Sequence, residues 1–532
     1  MLRDDKIWVA TKATGEAIYL LPQKAIHHGL ITGGNNKEVD CTARLLAEGF
    51  SSLGTPVFIT DIHRDLAGLM APGNDSESVQ GIVSHMGLQK SDFCFQGFPV
   101  TLWDVCGKTG IPLRANIGEI GPDLLSQILH LGALQSKTLK TVFRIANDQY
   151  LLLSDVNDLK ALVNSIESRV KQYERDYGQI KKNDLDDIMR ALVKLETEET
   201  APFWGELSLN IIDLMNPGNE GKGMINVLDS NLLARDRTFY ASVLLWLLSE
   251  FCDLMPDVGE LSKPKMVFII DEANLLFRDN TKILLEKSEQ VIRQLGRKGV
   301  CVIFCTQKML DIPDNVLRYL ENRILHSPYA YTPAQLKELR IVAGLFRKNP
   351  AFNTFDALKS LTSGKALFSL IGENNQLCPV EKGYLLPPQS YMGRVSDTDR
   401  EDCIMGSILY SKYAHQHDSD SDYDLLKSQE IEAEAAAALE KAKQDLALER
   451  ERAKREAIRA EEEIRRGQAE ANARKHAEKP VGKHISSQFK ENEFDPSSKK
   501  ADNIRKGKYG KTIGGNLGAS LGKGLIGTLF KD

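Results

Sequence analysis

The sequence predicts an α/β fold with a mainly parallel sheet. Two continuous apolar runs, Lys265 to Ile270 and Val300 to Cys305, are typical of strands that are buried on both faces of such a sheet. Between them, Thr281 to Lys298 carries apolar residues at helical spacing and stops at Gly299. Because neighbouring parallel strands must be joined by a long crossover, this strand, helix, strand order indicates parallel pairing.

A third strand leads into a glycine-containing loop. His28 to Thr32 is short and apolar, Gly33 and Gly34 follow it, and Thr42 to Phe50 has the pattern of a helix. A strand, a glycine loop and a helix in this order are typical of a phosphate-binding loop, in which backbone N–H groups surround the phosphates. We therefore expect this loop to lie beside the carboxyl ends of the two strands described above.

The loop departs from the phosphate-binding pattern, which is a glycine, four residues, then Gly-Lys-Ser/Thr. Counting from Gly33, the last three places hold Glu38, Val39 and Asp40. A carboxylate replaces the second glycine, an alkyl group replaces the lysine, and a second carboxylate replaces the hydroxyl that would hold Mg²⁺. Lys37 could still reach inward, and nearby backbone N–H groups remain. The candidate nucleotide-binding residues are Gly33, Gly34, Asn35, Asn36, Lys37, Val39 and Asp40.

An acidic pair and a glutamine follow the two buried strands. Asp271 and Glu272 come directly after the first strand, and Thr306 and Gln307 end the second. Beside a nucleotide, an Asp at this place holds Mg²⁺, a Glu activates water, and a polar residue on the next strand senses the γ-phosphate. The alternative is that the two acids only begin a helix. The order of the elements favours Asp271 as a metal ligand, with Glu272 and Gln307 as catalytic residues.

Three segments resemble the HerA/FtsK superfamily of ring ATPases, in its YjgR-like branch of HerA-like helicases. They read KMVFIIDEANLLF, KGVCVIFCTQKMLDIPDNVLRYLENRILH and NPAFNTFDALKSLTSGKALFSLI, and the resemblance extends from about Gly29 to about Tyr391. It implies a RecA-like P-loop NTPase core with a helical insertion, ATP and Mg²⁺ as cofactors, a ring such as a hexamer, and descent from a DNA translocase. In the family the loop reads much like LITGATGTGKTVT, whereas this chain has LITGGNNKEVDCT.

The resemblance also points to an arginine. Arg323, in the sequence Glu321-Asn322-Arg323, matches an Asn-Arg of the family. In ring ATPases the nucleotide lies between subunits, and an arginine of the neighbour stabilises the transition state. Arg323 is therefore the third candidate catalytic residue, acting in trans. A structural salt bridge is the alternative.

The chain divides into seven predicted segments. They are a lead-in at 1–27, the first half of the RecA-like core at 28–111, a helical insertion at 112–219, the second half of the core at 220–391, a linker at 392–422, a long charged helix at 423–479 and a basic Gly-rich tail at 480–532. Within the core we expect strands near Leu30, Phe58, Val227, Phe268, Ile303 and Phe368.

The C-terminal quarter differs from the core in composition. From Tyr423 to Lys479 the chain is rich in Ala, Glu, Lys and Arg, and its apolar residues are too sparse for a regular heptad, which predicts an exposed helical arm. From Lys499 to Asp532 there are eight Lys or Arg and two Asp, a net charge of +6. This flexible tail could contact the phosphates of DNA or an anionic membrane surface, or could pack on a neighbouring subunit.

The composition favours a cytoplasmic protein. The eight cysteines are scattered without a C-x-x-C pair, as in a reducing compartment, and Cys301 and Cys305 belong to a core strand. The start of the chain is charged where a signal peptide is apolar, and no apolar run approaches the roughly 18 residues of a membrane span. Because the net charge is −5, any contact with DNA must be local.

Three functions remain open from the sequence. The chain is a HerA-like ATPase of the helicase or translocase type with an altered loop, or a pseudo-ATPase that serves as a scaffold, or a regulatory subunit beside an intact paralogue. In the last case it would supply Glu272, Gln307 or Arg323 in trans. The altered loop argues against ATP use, while the preserved Asp271-Glu272 pair argues for a surviving role at the site.

Overall fold

The computed structural model describes residues 2–75, 77–86, 93–278, 280–328, 330–414 and 422–477. The chain divides into two compact units, Met1–Leu439 and Glu440–Asp532. The first unit contains a single sheet whose strands are β1 Leu2–Arg3, β2 Lys6–Lys12, β3 Ala17–Leu20, β4 Gly29–Thr32, β5 Val57–Asp61, β6 Val100–Asp104, β7 Ile111–Pro112, β8 Ile225–Asp229, β9 Met266–Ile270, β10 Val300–Thr306, β11 Asn322–Leu325, β12 Lys365–Ser369 and β13 Glu381–Leu385.

Helices connect most of these strands. They are α1 Asn36–Ser52, α2 Glu77–His85, α3 Ile117–Ile128, α4 Ala133–Asp148, α5 Val156–Ser168, α6 Val170–Tyr177, α7 Lys182–Glu196, α8 Arg237–Leu254, α9 Asn274–Phe277, α10 Lys282–Leu295, α11 Asp314–Leu317, α12 Pro333–Gly344, α13 Thr354–Lys359, α14 Asp397–Met405, α15 Ile408–Tyr413 and α16 Asp422–Ala477. Helices α3 to α7 fall within the predicted helical insertion.

The sheet has the strand order β1-β2-β13-β12-β11-β4-β10-β9-β5-β8-β6-β7, and β3 pairs with β2. From β11 to β7 every neighbouring pair is parallel, while β12, β13 and the three N-terminal strands pair antiparallel. The predicted α/β fold with a mainly parallel sheet is confirmed. All six predicted strands are present, and the strand near Phe368, which is β12, is one of the antiparallel ones.

The register of the parallel strands brings their carboxyl ends to one edge of the sheet. Thr306 pairs with Thr32, Phe304 with Ile270, and Ile269 with Ile59. The strands β4, β5, β9 and β10 are buried along their whole length, as continuous apolar runs in a parallel sheet should be. The loops that follow these four strands therefore meet at a common place.

Two hydrophobic clusters lie on the two sides of the sheet. The first joins the buried sides of α3 to α8 and α10 to the sheet, and it includes Trp103 and Trp246. The second joins α1 and the N-terminal strands to the sheet, and it includes Ile31 and Phe50. Helix α8 is buried nearly all round, which explains why its sequence is apolar on every face.

Part of the segment expected to be a linker is folded. Helices α14 and α15 occupy most of 397–413, and Tyr413 is fully buried. Its hydroxyl accepts a hydrogen bond from Asn210 N and contacts the Asp213 carboxylate, while Arg114 Nη1 donates to its carbonyl at 2.8 Å. These residues are therefore helical and belong to the first unit, and the linker predicted for 392–422 includes them. Residues 415–421 lie outside the described part of the chain.

The long helix begins and ends within two residues of the predicted bounds. Helix α16 has 56 residues. Its large apolar side chains with described exposure are all more than half exposed, namely Leu439, Leu446, Leu448, Ile458 and Ile464. The predicted basic tail, 480–532, lies outside the described residues. In the part that the structure describes, no helix is both long and apolar enough to cross a membrane.

Candidate functional site

The loop after β4 lies beside the ends of β9 and β10, as the strand pattern predicts. Gly33 N is 3.4 Å from Thr306 O, and Ala273 N donates to Cys305 O at 2.8 Å. The side chain of Asn36 donates from Nδ2 to Glu272 Oε1 at 3.2 Å. The structure thus brings together the glycine loop, the acidic pair and the region of Gln307.

The loop takes the form of an ordinary helix start. Helix α1 begins at Asn36, six residues before the predicted start at Thr42, and Asn35 caps it by accepting from Lys37 N at 3.2 Å. The N–H groups of Glu38 and Val39 are directed to Asn35 O, at 3.1 and 3.3 Å. A phosphate-binding loop keeps such N–H groups free for the ligand. Here they are used inside the helix.

The side chain at the lysine position faces the core. Val39 is 4% exposed and belongs to the cluster between α1 and the sheet. Lys37, the residue that could have supplied the missing charge, is exposed in the first turn of α1. Position 39 therefore has an apolar environment, in which an ammonium group would be costly to place.

Glu272 is held by amide side chains. Besides Asn36, Gln307 Nε2 lies 3.5 Å from Glu272 Oε1, and Asn274, with its amide nitrogen turned toward the carboxylate, donates to Oε2 at 2.9 Å. The backbone of Glu272 is in the left-handed region, with φ of 44°. Residues other than glycine seldom adopt this conformation. In it, the carboxylate of Glu272 points toward the loop and not along the chain toward α9.

Carboxylates crowd the edge of the sheet behind the loop. Burial, and then the neighbouring Asp65, raise the pKa of Asp40 to about 7 and that of Asp61 to about 6. Burial, then Asp40 and Glu272, hold the pKa of Asp271 well above its ordinary value. Each of these carboxyl groups therefore resists ionisation, mainly because it is buried and in addition because other acids lie near it. A polyphosphate would bring further negative charge to a place that already disfavours it.

Arg323 lies away from the loop. It pairs with Leu30 near the start of β4, and its guanidinium donates to the carbonyl oxygens of Leu320, Leu317 and Leu345 at 2.7, 3.1 and 3.3 Å. Its contacts are thus with backbone carbonyls, whereas the alternative, a structural salt bridge, would require a carboxylate. The structure does not bring Arg323 to the site within one chain, and its role in trans stays a prediction.

One residue at the site was missed by sequence reasoning. His326 follows β11, is 1% exposed, and lies with Nε2 2.7 Å from Thr42 Oγ1. A Cβ added to Gly33 would come within 2.6 Å of the Cβ of His326, so the loop glycine is needed for close packing. The sequence did indicate a short strand that is followed by His326. It did not show that this strand pairs with β4, and His326 was therefore not recognised as part of the site.

A cavity of about 280 Å³ opens next to the loop. Its walls are mainly apolar and come from the loop, the ends of β10 and β11, and α12; they include Gly33, Gly34, Gln307, Met309, Leu310, Leu325, His326, Leu339 and Val342. None of the crowded carboxylates lines it. The cavity is therefore separate from the place where the acids would meet a metal ion.

The site does not fit Mg·ATP. Mg²⁺ in such sites is held by one or two carboxylates together with phosphate oxygens and water, and Asp271 is placed for that role. A set of three or more His, Cys, Asp or Glu side chains arranged for a metal ion is absent from the described residues, but this kind of Mg²⁺ site does not require one. The mismatch lies with the phosphates. The phosphates would meet helix N–H groups that are already bonded, a buried Val39 and the Asp40 carboxylate.

The chain matches the model of a known protein family. The family model described as "Helicase HerA-like C-terminal" matches residues 6–494. The chain belongs to this HerA-like family. The resemblance seen in the sequence segments is thereby confirmed, and the parallel sheet described above is the RecA-like core that the family implies. A search of curated proteins finds no significant match.

Several solved structures are similar to this HerA-like chain. VirB4 of Thermoanaerobacter pseudethanolicus has 14% sequence identity and a TM-score of 0.47, with 72% of this chain and 97% of that chain covered. The bacterial conjugative coupling protein TrwB has 10% identity and a TM-score of 0.48, with coverages of 74% and 92%. TrwB in complex with ADP and Mg²⁺ has 10% identity and a TM-score of 0.46, with coverages of 73% and 91%.

Proposed function

We propose that this HerA-like chain is a pseudo-ATPase, a ring subunit that neither binds nor hydrolyses ATP by itself. One observation carries the proposal: the residues at the end of the phosphate-binding pattern form the first turn of α1, with the N–H groups of Glu38 and Val39 bonded to Asn35 O and the Val39 side chain in the core. The groups that would hold phosphate in a P-loop ATPase are here part of the protein's own structure.

The expected loss of affinity is large. Removing the lysine that pairs with the phosphates and adding the Asp40 carboxylate should each cost on the order of a few kcal/mol in a site shielded from water. Each 1.4 kcal/mol changes the dissociation constant about tenfold, so the two effects together amount to roughly a thousandfold or more.

The function that remains is structural or regulatory. Glu272 is bonded to Asn36 and Asn274, so the acid that would activate water now joins the loop to the end of β9. This supports a structural role for Glu272. We propose that the chain serves as a scaffold in a homo-oligomeric ring, such as a hexamer, which is the assembly that the family resemblance implies. A regulatory subunit mixed with an intact paralogue is the second form of the same proposal, and in it Glu272, Gln307 or Arg323 would serve the neighbour's nucleotide.

A HerA-like ATPase of the helicase or DNA translocase type is the second candidate. The observation that favours it is the position of Asp271 at the strand end beside the loop, where a metal ligand belongs. In this case the first turn of α1 would have to unwind, and Lys37 or a neighbouring subunit would have to supply the missing positive charge.

Equilibrium binding of Mg·ATP to the purified chain tests the proposal, together with turnover in the presence and absence of DNA. We expect neither binding nor turnover. Asp271→Ala is the control, because it removes the metal ligand without touching the loop. Tight Mg·ATP binding that Asp271→Ala abolishes would overturn the pseudo-ATPase and establish the second candidate.

We further propose that the basic tail, 480–532, contacts DNA through its phosphates. The net charge of +6 between Lys499 and Asp532 supports this, in a chain whose overall charge is −5. Fluorescence anisotropy with duplex DNA should show binding by the full chain that weakens steeply with salt, and none by a chain ending at residue 479. Equal binding by both chains would place the DNA contact elsewhere.

A further inference from the structure

Three of the five large apolar side chains of α16 with described exposure lie on one face of the helix. Leu439, Leu446 and Ile464 are 59%, 51% and 61% exposed. At 3.6 residues per turn, Leu446 and Ile464 each lie about 20° from Leu439 around the helix axis. The other two, Leu448 and Ile458, lie on other sides of the helix. Large apolar side chains that share an exposed face favour a partner that removes them from water.

Alanines extend this face. Ala442, Ala453 and Ala460 lie within about 60° of Leu439, on the same side of the helix. We call the apolar residues of this face the stripe, and they are Leu439, Ala442, Leu446, Ala453, Ala460 and Ile464. The stripe is roughly 37 Å long and follows the period of a straight helix, about 3.6 residues, whereas a heptad has a period of about 3.5. The lack of a regular heptad in α16 therefore does not prevent the helix from packing along the stripe on another straight helix.

The charged residues beside the stripe differ in sign on its two sides. One side has four basic residues and one acidic residue, a net charge of +3, and the other has five acidic residues and one basic residue, a net charge of −4. We call them the basic edge, which is Lys443, Arg450, Lys454, Glu461 and Arg465, and the acidic edge, which is Asp445, Glu449, Arg452, Glu456, Glu463 and Glu470. Each edge lies about 50° to 110° from the centre of the stripe. All of these residues are exposed. Lys443 Nζ also lies 3.6 Å from Glu440 Oε2 within the helix, a surface contact of the kind that contributes little.

We propose that α16 pairs in parallel with α16 of a second copy of this chain, stripe against stripe. In a parallel pair the basic edge of each copy lies beside the acidic edge of the other, on both sides of the contact. In an antiparallel pair the two basic edges would meet, and so would the two acidic edges. The edges therefore select both the partner and its direction. The inference concerns α16 and does not rest on the proposed function.

Disulfide cross-linking of the full chain tests the pair. In a parallel pair each stripe residue meets its own equivalent, so Ala453→Cys should form a disulfide between two copies when the thiols are oxidised with diamide. Ala469→Cys is the matched control, because it is the same change at an exposed position on the opposite side of α16. On a non-reducing gel we expect roughly tenfold more dimer from Ala453→Cys than from Ala469→Cys, because pairing raises the effective concentration of one thiol near the other. The parent chain, with its eight cysteines, gives the background.

Charge reversal tests the direction of the pair. Changing Lys443, Arg450 and Lys454 to Glu makes both edges acidic, so that like charges meet in a parallel pair. Cross-linking through Ala453→Cys should then fall several-fold, and high salt should recover part of it. An unchanged yield would overturn the parallel pair.

Reversal of the second edge should restore the pair. When Asp445, Glu449 and Glu456 are also changed to Lys, the edges are again opposite in sign, and cross-linking should return toward that of Ala453→Cys alone. A loss without this recovery, or equal dimer from Ala453→Cys and Ala469→Cys, would overturn the proposal. Should the charge variants not fold, the comparison of the two cysteine variants decides. ATP binding by the unaltered chain would overturn the proposed function and leave the cross-linking result standing.

Discussion

Two regions at the same edge of the sheet have changed to different degrees. After β9, Asp271 and Glu272 stand where a nucleotide-binding family member needs them, and the strand before them is buried as expected. After β4, only Gly33 and the flanks keep the pattern, and the loop has become a capped helix. Under the proposed pseudo-ATPase function, the strand end persists for structural reasons while the loop opposite it has lost its ligand chemistry.

The persistence of the acidic pair has a physical reason in this chain. Asp271 N donates to Thr60 Oγ1 at 2.8 Å, and Tyr240 Oη donates to Asp271 O at 2.8 Å, so its backbone joins β5 and α8 to the end of β9. Glu272 bonds to the loop itself. The pair is therefore part of the connection between strands whether or not a nucleotide is ever present.

The largest effect is expected from Val39→Lys. Restoring the lysine alone places an ammonium group in the core cluster, which should cost about 3–5 kcal/mol of the free energy of unfolding. Urea unfolding measures this loss, with Val39→Met as the control that adds length without charge.

The triple variant Glu38→Gly/Val39→Lys/Asp40→Thr gives a second test. Its glycine frees the first turn of α1, so it should be less destabilised than Val39→Lys alone and should gain ATP affinity. If Val39→Lys left the free energy of unfolding unchanged, position 39 would face the ligand side instead of the core.

A smaller, pH-dependent effect is expected from Asp40→Asn. The pKa of Asp40 is raised to about 7, so the folded state holds a proton that the unfolded state releases above about pH 4. The free energy of unfolding therefore falls as the pH rises from 4 to 7. Burial opposes the ionisation of Asp40 most, Asp65, Asp61 and Asp271 oppose it further, and His63 and Arg44 favour it. Asp40→Asn should be more stable than the parent by about 1–3 kcal/mol at pH 8 and equal to it near pH 4.

Urea unfolding across this pH range gives the measurement for Asp40→Asn. Asp176→Asn, at an exposed position on α6, is the matched control for the Asp-to-Asn change itself. If Asp40→Asn is destabilising at pH 8, then the Asp40 carboxylate is better compensated than its neighbours suggest, and a bound cation becomes the leading explanation.

The smallest effect is expected from Asn36→Ala, which removes the bond between the loop and Glu272. The loss should be about 1 kcal/mol, because the contact is only part-buried and water can replace the amide. Asn157→Ala is the matched control, since its amide also meets a carboxylate, Asp155, at a helix start. Asn36→Asp should be worse than Asn36→Ala through repulsion with Glu272. If Asn36→Ala and Asn36→Asp had the same free energy of unfolding, the Glu272 carboxylate would not interact with position 36, and the acidic pair would not stabilise the loop.

The sequence predicted the sheet and the meeting of its strand ends, because buried parallel strands leave continuous apolar runs such as Met266–Ile270. It also predicted that the loop beginning at Gly33 lies beside the strand end that carries Asp271 and Glu272, since carboxyl ends of parallel strands share an edge. It did not predict that α1 begins at Asn36, because Asn35-Asn36-Lys37 is compatible with either a loop or a capped helix until the contact with β11 is known.

Two further residues show where local pattern fails. Arg323 was chosen by resemblance, but the direction of its side chain depends on the carbonyls around it, which no motif records. His326 was overlooked because its importance comes from the pairing of β11 with β4, a contact between distant parts of the chain. The surroundings of both side chains depend on contacts between distant parts of the chain, which the local sequence does not show.

The antiparallel side of the sheet has a consequence for how the protein folds. Strand β2, near the beginning of the chain, pairs with β13, so that Lys12 lies beside Gly383. During synthesis the N-terminal strands emerge long before their partner, and their free edge must wait until almost the whole core has left the ribosome. Contacts so distant in sequence slow folding and prolong the exposure of an unpaired edge. We therefore expect the ribosome-bound chain to need a chaperone on β2 until β13 arrives.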